Sequence, residues 1–320
     1  MSDIAILGAG AFGTALAVSL ASAGRSVVLW GRDTAVMDHA VKERNLPRLP
    51  GIELSPFIQP TSNLDDIHCA PVVLLATPAQ SLNAILTSET QRFEGKSLIA
   101  CCKGIDLETG LGPWSLIKSV LPEAPAAILT GPSFAADIAK GLPTALTLAS
   151  QDPNLADLQK LTNTPVLRVY RSEDPRGAEL GGALKNVVAI AAGLAIGAGF
   201  GESARAATIA RGFAEITRIA ETLGAKSETL FGLSGLGDLV LTCTSEKSRN
   251  YSFGRALGRQ DEFDKSTTVE GAATARAVLP IAIQHGIETP LSEAVVAVIE
   301  GKLSAADAAE GLLARPLKSE

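Results

Sequence analysis

Six residues near the N-terminus, Gly8-Ala9-Gly10-Ala11-Phe12-Gly13, constrain this chain more than any other feature. They follow a short apolar run, residues 3–7, and open an alanine-rich stretch, residues 12–23. In a strand–turn–helix unit the first glycine permits the tight turn. The second lets a pyrophosphate come close to the backbone, and the third lets helix and strand pack closely. The start of the helix then offers unpaired N–H groups to an anion. A glycine turn in a flavodoxin-like fold would satisfy the bare pattern. The position at the chain start, with a second apolar run at 26–30, favours dinucleotide binding at Gly8, Gly10 and Gly13.

The end of that second run selects the cofactor. Sites for NAD usually place Asp or Glu there, on the ribose 2′-hydroxyl. This chain reads Trp30-Gly31-Arg32-Asp33, with glycine in the acidic position and an arginine after it. A guanidinium pairs well with a 2′-phosphate. NADP is therefore the favoured cofactor, with NAD tolerated. The plain alternative is a solvated Arg32 beside a helix whose N-cap is Asp33 or Thr34.

Alternation continues through the first half. Strands are expected at 72–76, 97–101, 126–129, 144–149 and 166–170, and helices at 34–45 and 82–87. Residues 47–60, punctuated by prolines, read as irregular. Strands alternating with helices imply a parallel sheet covered on both faces. Beyond Asp174-Pro175 the pattern turns helical, at about 178–196, 204–223, 248–257, 268–285, 291–299 and 304–313. The fold class is thus α/β: an N-terminal Rossmann-type parallel sheet domain, residues 1–173, and an all-α C-terminal substrate domain, residues 174–320.

Bulk properties narrow the partners. The net charge of −6 argues against nucleic acid, which needs a basic face. Cys69, Cys101, Cys102 and Cys243 show no CxxC pair and no Cys/His metal spacing, so no metal is expected and a reducing cytoplasm is the simplest compartment. No basic segment precedes a long apolar run, and the uncharged run at residues 186–201 is short for a membrane span. A homodimer is compatible with the sequence, which does not argue for it.

Several strings go beyond what a cofactor fold requires. They are Cys102-Lys103-Gly104-Ile105-Asp106, Gly131-Pro132-Ser133-Phe134-Ala135 and Gly181-Gly182-Ala183-Leu184-Lys185-Asn186. Then come Gly235-Leu236-Gly237-Asp238-Leu239-Val240-Leu241-Thr242-Cys243, Ser248-Arg249-Asn250 and Val269-Glu270-Gly271. Each has a bland reading alone: Lys103 a loop lysine, Lys185 a snorkelling one, Asp238 a helix cap, Arg249 a surface cation. In this order they resemble one family, the NAD(P)-dependent glycerol-3-phosphate dehydrogenases of bacterial type, over nearly the whole chain.

The resemblance implies site roles. Lys185 corresponds to the catalytic lysine, and Lys103 to a lysine touching both cofactor and substrate. Ala11, Phe12, Arg32, Ala135, Thr268 and Glu270 match cofactor contacts. Gly131 and Ser133 match substrate-side positions. Asp238, Ser248, Arg249 and Asn250 match the substrate pocket, with Arg249 also near the cofactor. The substrates implied are dihydroxyacetone phosphate and sn-glycerol 3-phosphate, the latter feeding phospholipid synthesis. The chain departs from the family pattern in three places: Ala11 for a common serine, Thr77-Pro78-Ala79-Gln80 for a P-S/T-H string, and Thr268 for a frequent valine.

The residues suit the chemistry. Ketone reduction needs a hydride and a proton for the developing alkoxide, and a lysine in a closed pocket can hold that oxygen and protonate it. Asp238 can orient the ammonium. Thr242, four residues on, shares its face if the segment is helical. A phosphate needs a cation and a helix start, which Ser248-Arg249-Asn250 offers. Three rival readings stay open on the residues alone. A β-hydroxyacid dehydrogenase resembles G-x-x-x-K-x-x-x-N, and here Gly181 and Lys185 fit while Ala189 does not. A ketopantoate-type reductase lacks the string at 235–243. A non-catalytic NADP sensor would have no need of Lys185.

Overall fold

The computed structural model describes residues 2–265 and 267–314. It divides into two compact units: one comprises the chain up to Lys103 together with Leu111–Glu179, the other Gly104–Gly110 and the chain from Leu180 onward.

The first unit is built on eight strands: β1 (Ile4–Leu7), β2 (Val27–Trp30), β3 (Ile58–Thr61), β4 (Val72–Leu75), β5 (Ser97–Ala100), β6 (Ala126–Thr130), β7 (Thr144–Ala149) and β8 (Leu167–Ser172). They form one sheet in the order β3-β2-β1-β4-β5-β6-β7-β8. Helices of this unit are α1 (Ala11–Ser22), α2 (Thr34–Glu43), α3 (Leu82–Ser88), α4 (Thr90–Phe93), α5 (Pro113–Val120), α6 (Ala135–Ala139) and α7 (Leu155–Thr162). Strands β1, β4 and β5 are apolar and almost wholly buried, as strands covered on both faces must be. The direction of winding reverses at β1, whose neighbours are β2 and β4. Ligands of such sheets bind beyond the carboxyl ends of the strands at that switch point.

Three expectations change. The sheet is not purely parallel, because β7 runs antiparallel to β6. The stretch 47–60 is not wholly irregular, since β3 pairs with β2 and sets Pro60 against Leu29. Proline cannot donate to a ladder, so β3 stands at the edge. Helices α4, α5, α6 and α7 are additional to those expected in this unit. The other edge, β8, is covered locally. Leu167 N–H donates to Thr164 Oγ1 at 3.0 Å and Val169 N–H to Asn163 Oδ1 at 3.1 Å, while Gln159 Nε2 donates to the Val169 carbonyl at 2.7 Å. These bonds occupy groups that would otherwise template another strand.

The second unit is helical: most of α8 (Pro175–Gly197), then α9 (Gly201–Thr222), α10 (Ser227–Leu230), α11 (Asp238–Cys243), α12 (Arg249–Arg259), α13 (Glu270–His285), α14 (Pro290–Ile299) and α15 (Ala305–Leu313). Helix α8 has the length and hydropathy of a membrane span, but 89% of its apolar window is buried in the fold. It is the helix around which the second core is built, with Leu184, Val187, Val188 and Ile190 meeting Ile216, Leu239 and Tyr251.

Two helices start in the same way. Pro113 and Pro290 are the first residues of α5 and α14, where a missing N–H costs nothing. A buried glutamate then accepts from the next groups: Glu179 from Trp114 N–H, Ser115 N–H and Ser115 Oγ, and Glu215 from Leu291 N–H, Ser292 N–H and Ser292 Oγ. Burial pushes both carboxyl pKa values up, more than the hydrogen bonds pull them down. A carboxyl with a raised folded pKa stabilises the fold below its unfolded pKa, and that contribution is lost as pH rises through the folded value. Glu215→Gln, which cannot ionise, is therefore expected to gain in melting temperature relative to the parent between pH 5 and pH 8. Equal differences at both pH values would show that the carboxylate carries no desolvation cost. Glu215→Ala should lose about 2–4 kcal/mol, because it strands buried donors.

Candidate active site

Sequence-predicted residues of the first unit gather along the carboxyl edge of the sheet. Gly8 follows β1, Arg32 follows β2 by two residues, Lys103 follows β5 by three, and Gly131 follows β6 directly. Gly8 has φ +120°, and a Cβ there would lie 2.6 Å from the Ala76 carbonyl oxygen. A Cβ on Gly13 would overlap the Gly8 carbonyl, which is how closely α1 meets the turn. A Cβ on Gly10 would meet nothing within 4 Å, so the space above it is open. Ala11 and Phe12 form the first turn of α1. This cradle fits a pyrophosphate at a helix start. The buried hydroxyls of Thr77 and Thr130, beside the ends of β4 and β6, have no hydrogen-bond partner among the described residues, so polar capacity is spare at this edge.

Arg32 is exposed, and Asp33 caps α2 by accepting from Val36 N–H at 3.1 Å. Position 31 is tightly packed: a Cβ would overlap Met37 Sδ and stand 2.9 Å from Ala9 Cβ. An acidic group of the NAD-selecting kind cannot be accommodated there without repacking Met37. Lys103 Nζ donates to the Gly131 carbonyl at 3.1 Å, and Ser133 Oγ donates to the same oxygen at 3.3 Å. Ala135 is the first residue of α6.

The second unit holds the remaining residues. Lys185 on α8 and Asp238 at the start of α11 form a buried ion pair, Nζ to Oδ1 2.6 Å, with side chains 8% and 1% exposed. A buried pair of this kind contributes little net stability but fixes geometry, since misplacing either charge leaves the other poorly solvated. Thr242, one turn beyond Asp238, lies 3.0 Å from Ser248, Oγ1 to Oγ. Ser248 caps α12 by accepting from Tyr251 N–H at 3.2 Å. Arg249 is exposed at the first position of α12. Asn250 is turned inward: its Nδ2 donates to Asn186 Oδ1 at 3.0 Å, and its Oδ1 accepts from Gly271 N–H at 2.9 Å. Helix α12 lies so close to α8 that a Cβ on Gly254 would overlap the Ile190 carbonyl. Thr268 is exposed just before α13, and Glu270 is its first residue.

Asn186 was not among the predicted site residues. Its only signal in the sequence is its place beside Lys185. The amide chain Asn186–Asn250–Gly271 ties α8, α12 and the start of α13 together, so much of the Asn250 amide serves packing. A cavity of about 1720 Å³ lies elsewhere in this unit, along Ala204, Ala207, Leu291 and Ala309, and none of the predicted residues lines it.

A glycine cradle at the switch point of a wound sheet, with a buried lysine held by a carboxylate in a helical unit, defines the class: an NAD(P)-dependent oxidoreductase. Comparisons with known proteins give the family. Residues 3–156 match the model of the NAD-dependent glycerol-3-phosphate dehydrogenase N-terminus, and residues 174–310 match that of its C-terminus. The chain is 57% identical over 319 residues to a glycerol-3-phosphate dehydrogenase [NAD(P)+] of Paracoccus denitrificans (strain Pd 1222), covering 99% of this chain and 100% of the relative. It is 55% identical to the protein of the same name from Cereibacter sphaeroides, with the same coverage. The crystal structure of glycerol-3-phosphate dehydrogenase from Coxiella burnetii superposes with a TM-score of 0.93 at 35% identity, covering 98% of this chain and 99% of that one. The chain belongs to the NAD-dependent glycerol-3-phosphate dehydrogenase family, which sets aside the keto-acid and cofactor-sensor readings.

Proposed function

We propose that this protein interconverts dihydroxyacetone phosphate and sn-glycerol 3-phosphate, with NADP(H) preferred and NAD(H) accepted, in the cytoplasm, as a supply for phospholipid synthesis. The observation that carries the reading is the buried Lys185–Asp238 pair. In this reading the first unit, by its glycine cradle, binds the cofactor and the helical unit carries the acid–base chemistry. The bound reduced nicotinamide supplies the hydride. Lys185 Nζ holds the carbonyl oxygen and gives it a proton as the alkoxide develops, and Asp238 keeps the ammonium aimed. In the reverse direction the same amine takes the hydroxyl proton.

Arg249 and the first N–H groups of α12 hold the phosphate, since those groups have no partner inside a helix. Thr242 and Ser248 line the same helix start, and Asn250 shapes it through Asn186. Lys103, Gly131 and Ser133 act on the substrate from the sheet edge, Lys103 also on the cofactor. Ala135, Thr268 and Glu270 are cofactor contacts, with Arg249 shared.

The deciding experiment is oxidation of NADPH with dihydroxyacetone phosphate, run beside a panel of 2-keto and 3-keto acids. Turnover is expected with the triose phosphate. Clean turnover of a keto acid, with none of the triose phosphate, would overturn the assignment. The cofactor preference has its own check. Arg32→Ala should weaken NADPH by about 10- to 100-fold, the scale of one charge-assisted pair, and leave NADH nearly unchanged. Equal losses for both cofactors would make Arg32 an adenine-stacking or structural residue.

A further inference from the structure

The position of Asp238 depends on an irregular turn. After α10 the chain enters a single π turn, Leu233–Gly237, in which Gly237 N–H donates to the Gly232 carbonyl at 3.1 Å and Asp238 N–H is shared between the carbonyls of Gly235 and Leu233. A π turn holds about one residue more than an α turn, so it rotates whatever follows by about 100° relative to an unbroken helix. Asp238 is the first residue beyond it. The direction of its carboxylate is therefore set by whether this turn forms.

Two close approaches select the turn. A Cβ on Gly235 would overlap the Leu230 carbonyl, so the turn closes on its own entrance only with glycine there. On α8, a Cβ at Gly181 would stand 2.9 Å from the Ser234 carbonyl oxygen and 3.2 Å from Gly235 Cα. The π turn thus rests on the bare backbone of α8. Lys185 comes four residues after Gly181, on the same face of that helix. One stripe of α8 seats the turn and presents the amine that the next residue grips, Nζ to Oδ1 2.6 Å.

We propose that Gly181 is a positioning residue for the reaction: by letting the π turn rest directly on α8, it sets the distance and direction of the Asp238 carboxylate toward Lys185. The proposal rests on the reading of Lys185 as proton donor. An alanine methyl must push the Ser234 carbonyl outward by a few tenths of an ångström, and Asp238 moves with it. Pairs buried this deeply tolerate little displacement, and small misplacements of catalytic groups cost large factors in rate.

Gly181→Ala is the test, because alanine is the better helix former and leaves α8 intact. The measurements are kcat and KM for dihydroxyacetone phosphate, the pH profile of kcat, NADPH affinity and melting temperature. They are made on Gly181→Ala, Asp238→Asn, the double variant and Lys185→Ala. We expect Gly181→Ala to lower kcat by roughly 10-fold or more, to move the pH profile, and to leave NADPH affinity within about twofold. Asp238→Asn should lose more, and the added Gly181→Ala should then cost nothing further, because the pair it aligns is gone. In the Gly181→Ala background, Asp238→Glu should recover part of the loss by its extra methylene, whereas in the parent it should impair. A near-parental kcat in Gly181→Ala, or fully additive losses in the double variant, would overturn the positioning role while an inactive Lys185→Ala still upholds the donor. A Lys185→Ala variant with parental kcat would bring down both.

Discussion

Lys185→Ala is expected to lower kcat at least about 100-fold, the usual scale for losing a positioned acid. The amine is buried and held by Asp238 at 2.6 Å, so its own position is fixed before any ligand binds. Removing it has a second consequence. Asp238, 1% exposed, then loses the buried counter-charge of Lys185, which costs about 3–5 kcal/mol of stability. The variant should therefore melt lower than the parent, and combining it with Asp238→Asn should restore much of the melting temperature without restoring turnover. NADPH affinity should survive, since Gly8, Gly10 and Gly13 lie in the other unit. Steady-state kinetics, fluorescence titration and thermal melting separate these effects. Near-parental kcat would move the proton donor elsewhere, with Lys103 the next candidate.

Arg249→Ala is expected to raise KM for dihydroxyacetone phosphate by roughly 30- to 700-fold, equivalent to about 2–4 kcal/mol for a charge pair desolvated on binding. Arg249 is exposed at the start of an eleven-residue helix, so truncating it should barely change the melting temperature of the free protein. Ser248 satisfies the third N–H of that helix, which leaves the first two for an anion. Arg249→Lys should recover only part of the loss, because an ammonium cannot fork two oxygens. Unphosphorylated dihydroxyacetone, a poor substrate, should be nearly indifferent to the change. NADPH affinity is measured separately, because Arg249 is also assigned to the cofactor side. An unchanged KM would leave the phosphate to Lys103 and the backbone.

What could be read from the chain alone were features whose physics is local. Gly8 turns the chain at a φ of +120° that other residues rarely adopt, and a Cβ on Gly13 would strike the Gly8 carbonyl five residues back, so both requirements are visible in the spacing. Ser248 sits where a side-chain oxygen meets an N–H three residues on, and its cap is legible in the sequence, while the α2 cap is narrowed there to Asp33 or Thr34 and falls on Asp33. The apolar strands β1, β4 and β5 announce a covered sheet by composition. The strings around Lys103, Lys185, Asp238 and Arg249 were read by likeness to a family, and their chemistry agreed with it.

Other features are decided by partners far along the chain. Strand β3 is four residues long and contains Pro60, and only pairing with β2 makes it a strand. The reversal of β7 depends on register with β6, which no window of sequence contains. Glu179 and Glu215 look like surface residues of long helices until the starts of α5 and α14 arrive over them. Asn186 and Asn250 are polar residues whose buried amides meet only because α12 lies against α8. By itself the sequence determined the turn chemistry, the caps, the class of fold and the set of charged residues available for catalysis. The tertiary structure alone decided which of those charges meet. The Lys185–Asp238 pair spans 53 positions of chain and is aimed by a π turn on α8, a long-range packing contact that local propensity does not encode.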